Sequence, residues 1–96
     1  MLGMDPLDTV RILKSLADET RLSVIRELVS QGSEVKSSDI ITNCANSLRL
    51  SQPTMSHHLG TLVRSGVITE RKSGTEKLYK INQQLLDQVG IDPTKL

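Results

Sequence analysis

Residues 51–66, SQPTMSHHLGTLVRSG, decide how the rest of the chain is read. Ser51 is an N-cap type, Pro53 falls in a first turn where a missing N–H costs little, and Gly66 follows as a left-handed stop. These signals predict a helix over about 51–65. At about 100° per residue, Met55, Leu59, Leu62 and Val63 gather on one side of it. The opposite face holds Pro53, Thr54, His57, Gly60, Thr61 and Arg64, with Ser56 and His58 at the two borders. That face is small and polar, and no acidic residue occurs from Ser51 to Val67. A solvated helix face usually carries Glu or Asp, so their absence fits an approach to phosphates. Ser51 and Gln52 stand at the N-terminal end, where free N–H groups and the positive end of the helix dipole suit an anion. Gln, Ser, Thr and His can reach base edges, and Gly60 allows close approach of the backbone.

Beyond Gly66 the period changes. VITERK (67–72) and KLYKI (77–81) are short and alternate imperfectly between bulky and charged residues, with SGTE between them. This predicts a β-hairpin over about 67–81 with a glycine-containing loop. Asn82 can cap a last helix bearing Leu85, Leu86 and Val89, ended by Gly90 and Pro93.

Towards the N-terminus, Asp5 and Pro6 mark a helix start, and Leu7, Val10, Leu13 (with Ile12) and Leu16 recur at helical spacing, giving a helix over about 6–17. Asp18 caps the next, whose apolar stripe is Leu22, Ile25, Leu28 and Val29 and whose stop is Gly32. Ser37 or Ser38 caps a third helix carrying Ile40, Ile41 and Cys44, with Leu48 and Leu50 closing the packing. The order is four helices, a hairpin and a final helix: a mainly α, α+β chain. The third and fourth helices form a helix-turn-helix with the fourth as recognition helix, and the hairpin makes it a winged helix-turn-helix. Residues 1–96 are expected to form a single domain.

Net charge is +1, but its distribution is uneven. From Arg49 to Lys80 six bases face two acids (6 − 2 = +4), and the remainder carries six bases and nine acids (6 − 9 = −3). A basic segment on a mildly acidic scaffold suits a nucleic-acid face, although four excess charges also suit an ordinary solvated surface. Tyr79 is the only aromatic residue, so the core must be aliphatic and the platforms for stacking single-stranded nucleic acid are missing. One cysteine permits no internal disulfide, and neither a membrane-spanning run nor a signal peptide is visible. A cytoplasmic location, without a membrane, is expected.

LADETRLSVIRELVSQG (16–32) followed by LSQPTMSHHLGTLVRSGVITERKSGTEKLYKI (50–81) resembles the ArsR/SmtB family of bacterial winged-helix repressors. The resemblance covers roughly residues 10–82 and is most specific over LSQPTMSHHLGTLVRSGVI. It implies a homodimer held through the first and last helices, here about 5–17 and 82–90. It also implies repression on an imperfect palindrome of double-stranded DNA and release by a ligand or redox signal. On the family pattern DNA contact carries over to Gln52, Pro53, Thr54, Ser56 and His57; Ser51, Thr61 and Arg64 join them from their places on the same helix. The wing adds Arg71, Lys72, Ser73, Gly74, Thr75 and Lys77.

Metal-sensing members commonly place a Cys-Val-Cys-Asp-like stretch at the start of the third helix, or His, Asp and Glu pairs on the last. Here SEVKSSDI keeps only Asp39, and QQLLDQVGIDP has Asp87 and Asp92 but no His or Cys. A tight tetrahedral zinc site wants several Cys or His, so neither a metal nor another cofactor is expected. His57 and His58 are adjacent, about 100° apart on a helix, and converge poorly on one ion. Cys44 reads as a buried small hydrophobe, with a redox thiol as the alternative. Asp39 to Ser51 is longer than the usual family spacing by roughly one helical turn, which leaves the third helix and its angle to the fourth open.

The sequence thus predicts a sequence-specific DNA-binding regulator whose effector it does not name. The alternative is a winged-helix module that binds protein or RNA and has no operator. Catalysis is not expected, because the acid-free segment around His57 offers no positioned carboxylate or nucleophile.

Overall fold

The computed structural model describes residues 6–45 and 49–96. The expected Asp5 cap and the Leu48 packing contact lie outside them. Helix α1 spans Pro6–Leu16 and α2 Glu19–Gln31; strand β1 is Val35–Lys36; α3 is Ser37–Ile40, continuing as a π-helical turn over Ile41–Ala45. Then come α4 (Gln52–Ser65), β2 (Ile68–Ser73), β3 (Glu76–Ile81), α5 (Gln83–Gln88) and a 3₁₀ turn over Pro93–Lys95. The architecture is the expected helical chain with a small antiparallel sheet.

Local chemistry sets most boundaries. Asp18 accepts from the Arg21 N–H at 3.0 Å and caps α2, which ends at Gly32. Ser51 accepts from the Thr54 N–H and caps α4. At the other end of α4, Gly66 (φ 86°) sends its N–H to Leu62 and Val63, a left-handed conformation that costs an L side chain energy. A Cβ there would also meet Leu85 at 3.0 Å, so this glycine lets α5 pack against the end of α4. Asn82 caps α5 through Leu85, while its amide donates to the Gly66 carbonyl at 2.9 Å and its N–H to Val67 at 2.9 Å. One side chain thereby joins the end of the recognition helix to the start of the last helix.

Three expectations are corrected. Strand β1 lies outside the predicted order: Val35 and Lys36 pair with Tyr79 and Leu78, giving a three-stranded sheet in the order β1-β3-β2. A two-residue strand leaves no periodic signal of its own. Ser37 and Ser38 do not cap α3; Lys36 is the N-cap, with no side-chain capping bond, and α3 widens after one turn. A π turn absorbs extra residues in a helix, which matches the long Asp39–Ser51 spacing. The apolar stripe of α2 is also rotated: Val24, Ile25 and Leu28 are buried, whereas Leu22 and Val29 are only partly covered.

The core is aliphatic. Ile12, Ile25, Leu28, Ile40, Met55, Leu62, Ile68 and Leu86 are its largest fully buried side chains. Each such side chain contributes about 1.5–3 kcal/mol relative to exposure. Tyr79 joins them on the inner face of the sheet, and burial there raises its hydroxyl pKa, reinforced by Glu70. Helix α4 inserts Met55, Leu59 and Leu62 between α1, α2 and β2. On α1, Ile12 and Leu16 turn inward, whereas Val10 and Leu13 stay 46% and 53% exposed. No described helix is long and apolar enough to cross a membrane.

Candidate nucleic-acid interface

Burying one face of α4 presents the other. Ser51, Gln52, Pro53, Thr54, Ser56, His57 and Arg64 are all exposed, and Thr61 is half-buried. Their order follows directly from the 3.6-residue period once Met55, Leu59 and Leu62 are in the core. The N-terminal end is ordered: Ser51 Oγ also donates to Thr54 Oγ1 at 2.9 Å. Further along, Thr61 Oγ1 donates to the His57 carbonyl at 3.1 Å and accepts from Arg64 Nη2 at 3.3 Å. The Arg64 guanidinium folds back over Gly60, where a Cβ would lie 2.9 Å from its Nη1. Gly60 is expected to allow close approach of the backbone; in the unbound chain the Arg64 guanidinium lies in that space.

The two histidines separate. Their ring centroids are 5.9 Å apart at 62°, and the rings face different surroundings. His57 is exposed on the outer face. His58 points to the start of α2, its Nδ1 3.0 Å from Arg21 Nη1 and 3.8 Å from Asp18 Oδ2. Arg21 also donates to the Ser15 and Lys14 carbonyls at the end of α1. Asp18, Arg21 and His58 therefore connect α1, α2 and α4. The Arg21 N–H, and after it the Arg21 charge, hold the Asp18 carboxyl below its ordinary value. This connection has no periodic signature, so the sequence alone could not assemble it.

The wing is a tight hairpin in which Ser73 pairs with Glu76 and glycine takes the first place of the two-residue Gly74–Thr75 loop. Lys72 lies directly opposite Lys77. By the two-residue period they belong to the face that carries Ile68 and Tyr79 into the core, so they extend that face outward at the tip. Lys77 approaches Glu70 at 3.8 Å. Arg71 lies on the other face and forms a two-pronged pair with Glu34, at 3.0 and 2.7 Å. That fork depresses the Glu34 carboxyl and ties β2 to the α2–β1 loop. Lys36 and Ser38 similarly meet Glu76 from the base of α3. Of the wing cations, Lys72 has no carboxylate partner among the described residues, and Arg71 is already engaged.

Cys44 is buried, its Sγ 3.9 Å from the Ser23 carbonyl. Burial raises its thiol pKa and Glu27 raises it further, both opposing a reactive thiolate. Asp39 is exposed on α3, and no three His, Cys, Asp or Glu side chains gather among the described residues.

Comparison with known proteins agrees with the fold. Residues 16–71 match a helix-turn-helix domain family. The chain is 37% identical over 78 residues to an arsenical resistance operon repressor of Staphylococcus xylosus, covering 81% of this chain and 69% of that one. In three dimensions it resembles an ArsR family transcriptional regulator of known crystal structure (TM-score 0.75, 24% identity, 92% of this chain and 84% of that one). It also resembles the homodimeric winged helix-turn-helix DNA-binding domain of Mycobacterium bovis (TM-score 0.71, 23% identity, 93% and 82% covered). The chain belongs to the ArsR/SmtB family of winged helix-turn-helix, DNA-binding transcriptional regulators.

Proposed function

We propose that two copies of this chain bind an imperfect palindrome of double-stranded DNA and repress transcription until a signal releases them. The observation that carries this is the outer face of α4: a capped helix end followed by exposed Gln52, Thr54, Ser56 and His57, with no acid between Ser51 and Val67. Inserted in a major groove, these side chains meet base edges, and the helix N-terminus meets a phosphate. Lys72 and Lys77 repel each other across the wing tip, and a DNA phosphate between them relieves that repulsion. Arg71, neutralised by Glu34, adds little charge to the wing while that pair holds. The second copy docks on α1, where Val10 and Leu13 are exposed, together with the last helix.

Selection from a pool of random duplexes tests the reading. It should enrich an inverted repeat with half-sites about one helical turn, ~10 base pairs, apart. His57→Ala and Gln52→Ala should each lose about 1–3 kcal/mol on that duplex and relax its sequence preference. Lys72→Ala should weaken binding to every duplex and lower the salt slope by about one. Failure to enrich any inverted repeat, with capture of a protein or RNA instead, replaces the repressor by an interaction module.

A further inference from the structure

Beside the recognition helix lies a cleft of about 640 Å³ between α1 and α4, lined by Val10, Arg11, Lys14, Arg21, Thr61 and Arg64 with two serines. Four of these residues are cations and none is an acid. Arg11 approaches Asp8 at 3.8 Å on the exposed side of α1. Lys14, Arg21 and Arg64 form no ion pair among the described residues. Two of the cations are positioned in advance. Arg21 is held by the Lys14 and Ser15 carbonyls and His58, and Arg64 lies across Gly60 against Thr61. Asp8 meets Arg11 from outside the cleft and the Asp18 carboxylate lies near Arg21, yet the lining itself keeps an excess of positive charge, and several fixed donors around one space suit the oxygens of a phosphoryl group.

The cleft also lies where a phosphate can arrive. Thr61 and Arg64 form its α4 wall and belong to the outer face of the recognition helix, so it borders the surface assigned to DNA. On α1, Val10 and Leu13 occupy one flank at about 100° per residue, while Lys14, Arg11 and Ser15 follow on the next. Val10 lines the cleft as well, so an apolar contact made by Val10 and Leu13 runs along its edge, with Lys14 and Arg11 on the adjoining flank.

We propose that the α1–α4 cleft is a phosphate-binding site in which Lys14 and Arg64 grip a phosphoryl group over the pinned Arg21. The phosphoryl group comes either from the DNA backbone, extending the footprint onto the first helix, or from a free phosphorylated small molecule. The DNA source rests on the function proposed above; the free source does not.

The 96-residue chain is tested with two arms. The first measures affinity for a mixed-sequence duplex over a range of salt, for wild type, Lys14→Gln and Lys14→Arg, with dimer dissociation followed by sedimentation. The second titrates inorganic phosphate, against chloride at matched ionic strength, into the free protein while the amides of Thr61 and Arg64 are followed by NMR. A DNA source predicts that Lys14→Gln weakens duplex binding roughly 3- to 10-fold and lowers the salt slope by about one, with recovery in Lys14→Arg. A free source predicts saturable phosphate shifts in wild type that are lost in Lys14→Gln. Unchanged duplex binding with no phosphate-specific shift overturns the site while the DNA-binding reading stands. Wild type that binds no duplex yet saturates with phosphate does the reverse. A Lys14→Gln loss matched by weaker dimerisation, without phosphate shifts, makes the cleft a subunit contact and also overturns the proposal.

Discussion

Asp18 shows how one side chain serves two structures. Its carboxylate caps α2 through the Arg21 N–H and stands 3.8 Å from His58 on the recognition helix. Replacing an Asp cap by Ala typically costs about 1 kcal/mol, so Asp18→Ala should lower stability by roughly that amount in urea unfolding. Because the folded carboxyl is depressed below its ordinary value, its stabilisation is present above the unfolded carboxylate pKa. It is lost as pH falls through the lower, folded value. Melting temperature should therefore drop on acidification below about pH 4, and Asp18→Asn, which retains a capping oxygen, should show a shallower drop. An equal acid response in Asp18→Asn would place the effect on other groups, first of all Glu34, whose pairing with Arg71 shifts it in the same direction.

At the scale of elements, α4 and the wing were legible because their signals are local. Ser51, Pro53 and Gly66 punctuate α4, and Gly74 between two alternating runs marks the hairpin. Strand β1 and the π turn were not legible. The first exists only because Tyr79 and Leu78 arrive beside Val35 and Lys36, and the second accommodates a lengthened connection within a packed helix. Gly60 illustrates the same division. Its presence on the outer face was readable, but its use as the seat of the Arg64 guanidinium required the fold. Since the obstructing atom is the end of a flexible side chain, Gly60→Ala should be tolerated. Glycine to alanine inside a helix gains about 0.5–1 kcal/mol. The variant should therefore unfold at equal or higher urea concentration while its affinity for duplex DNA falls. Unaltered DNA affinity would mean that the Arg64 seat has no part in binding.

For the whole molecule, the first helix is decisive. Its apolar repeat predicted one stripe, yet the fold buries Ile12 and Leu16 and leaves Val10 and Leu13 facing outward. A small domain with an almost purely aliphatic core gains from covering such residues. Leu13→Lys should leave the helical circular dichroism and the melting of the monomer nearly unchanged. It should raise the dimer dissociation constant by at least tenfold in sedimentation, and duplex affinity should fall with it. A wild-type protein that stays monomeric at high micromolar concentration would remove α1 from the interface. Leu62→Ala, at the fully buried centre of α4, is the contrasting case: it should cost about 2–5 kcal/mol whatever the state of association.

The sequence by itself determined the helix order, the recognition helix with its acid-free outer face, the hairpin and the family, because caps, stops and periodicity act within a few residues. Tertiary structure alone decided which way His58 faces, that Arg71 is tied to Glu34 and that Lys14 and Arg64 share a cleft. Each of these depends on side chains brought together from distant elements, and no local pattern encodes which cation finds an acid and which is left for a phosphate.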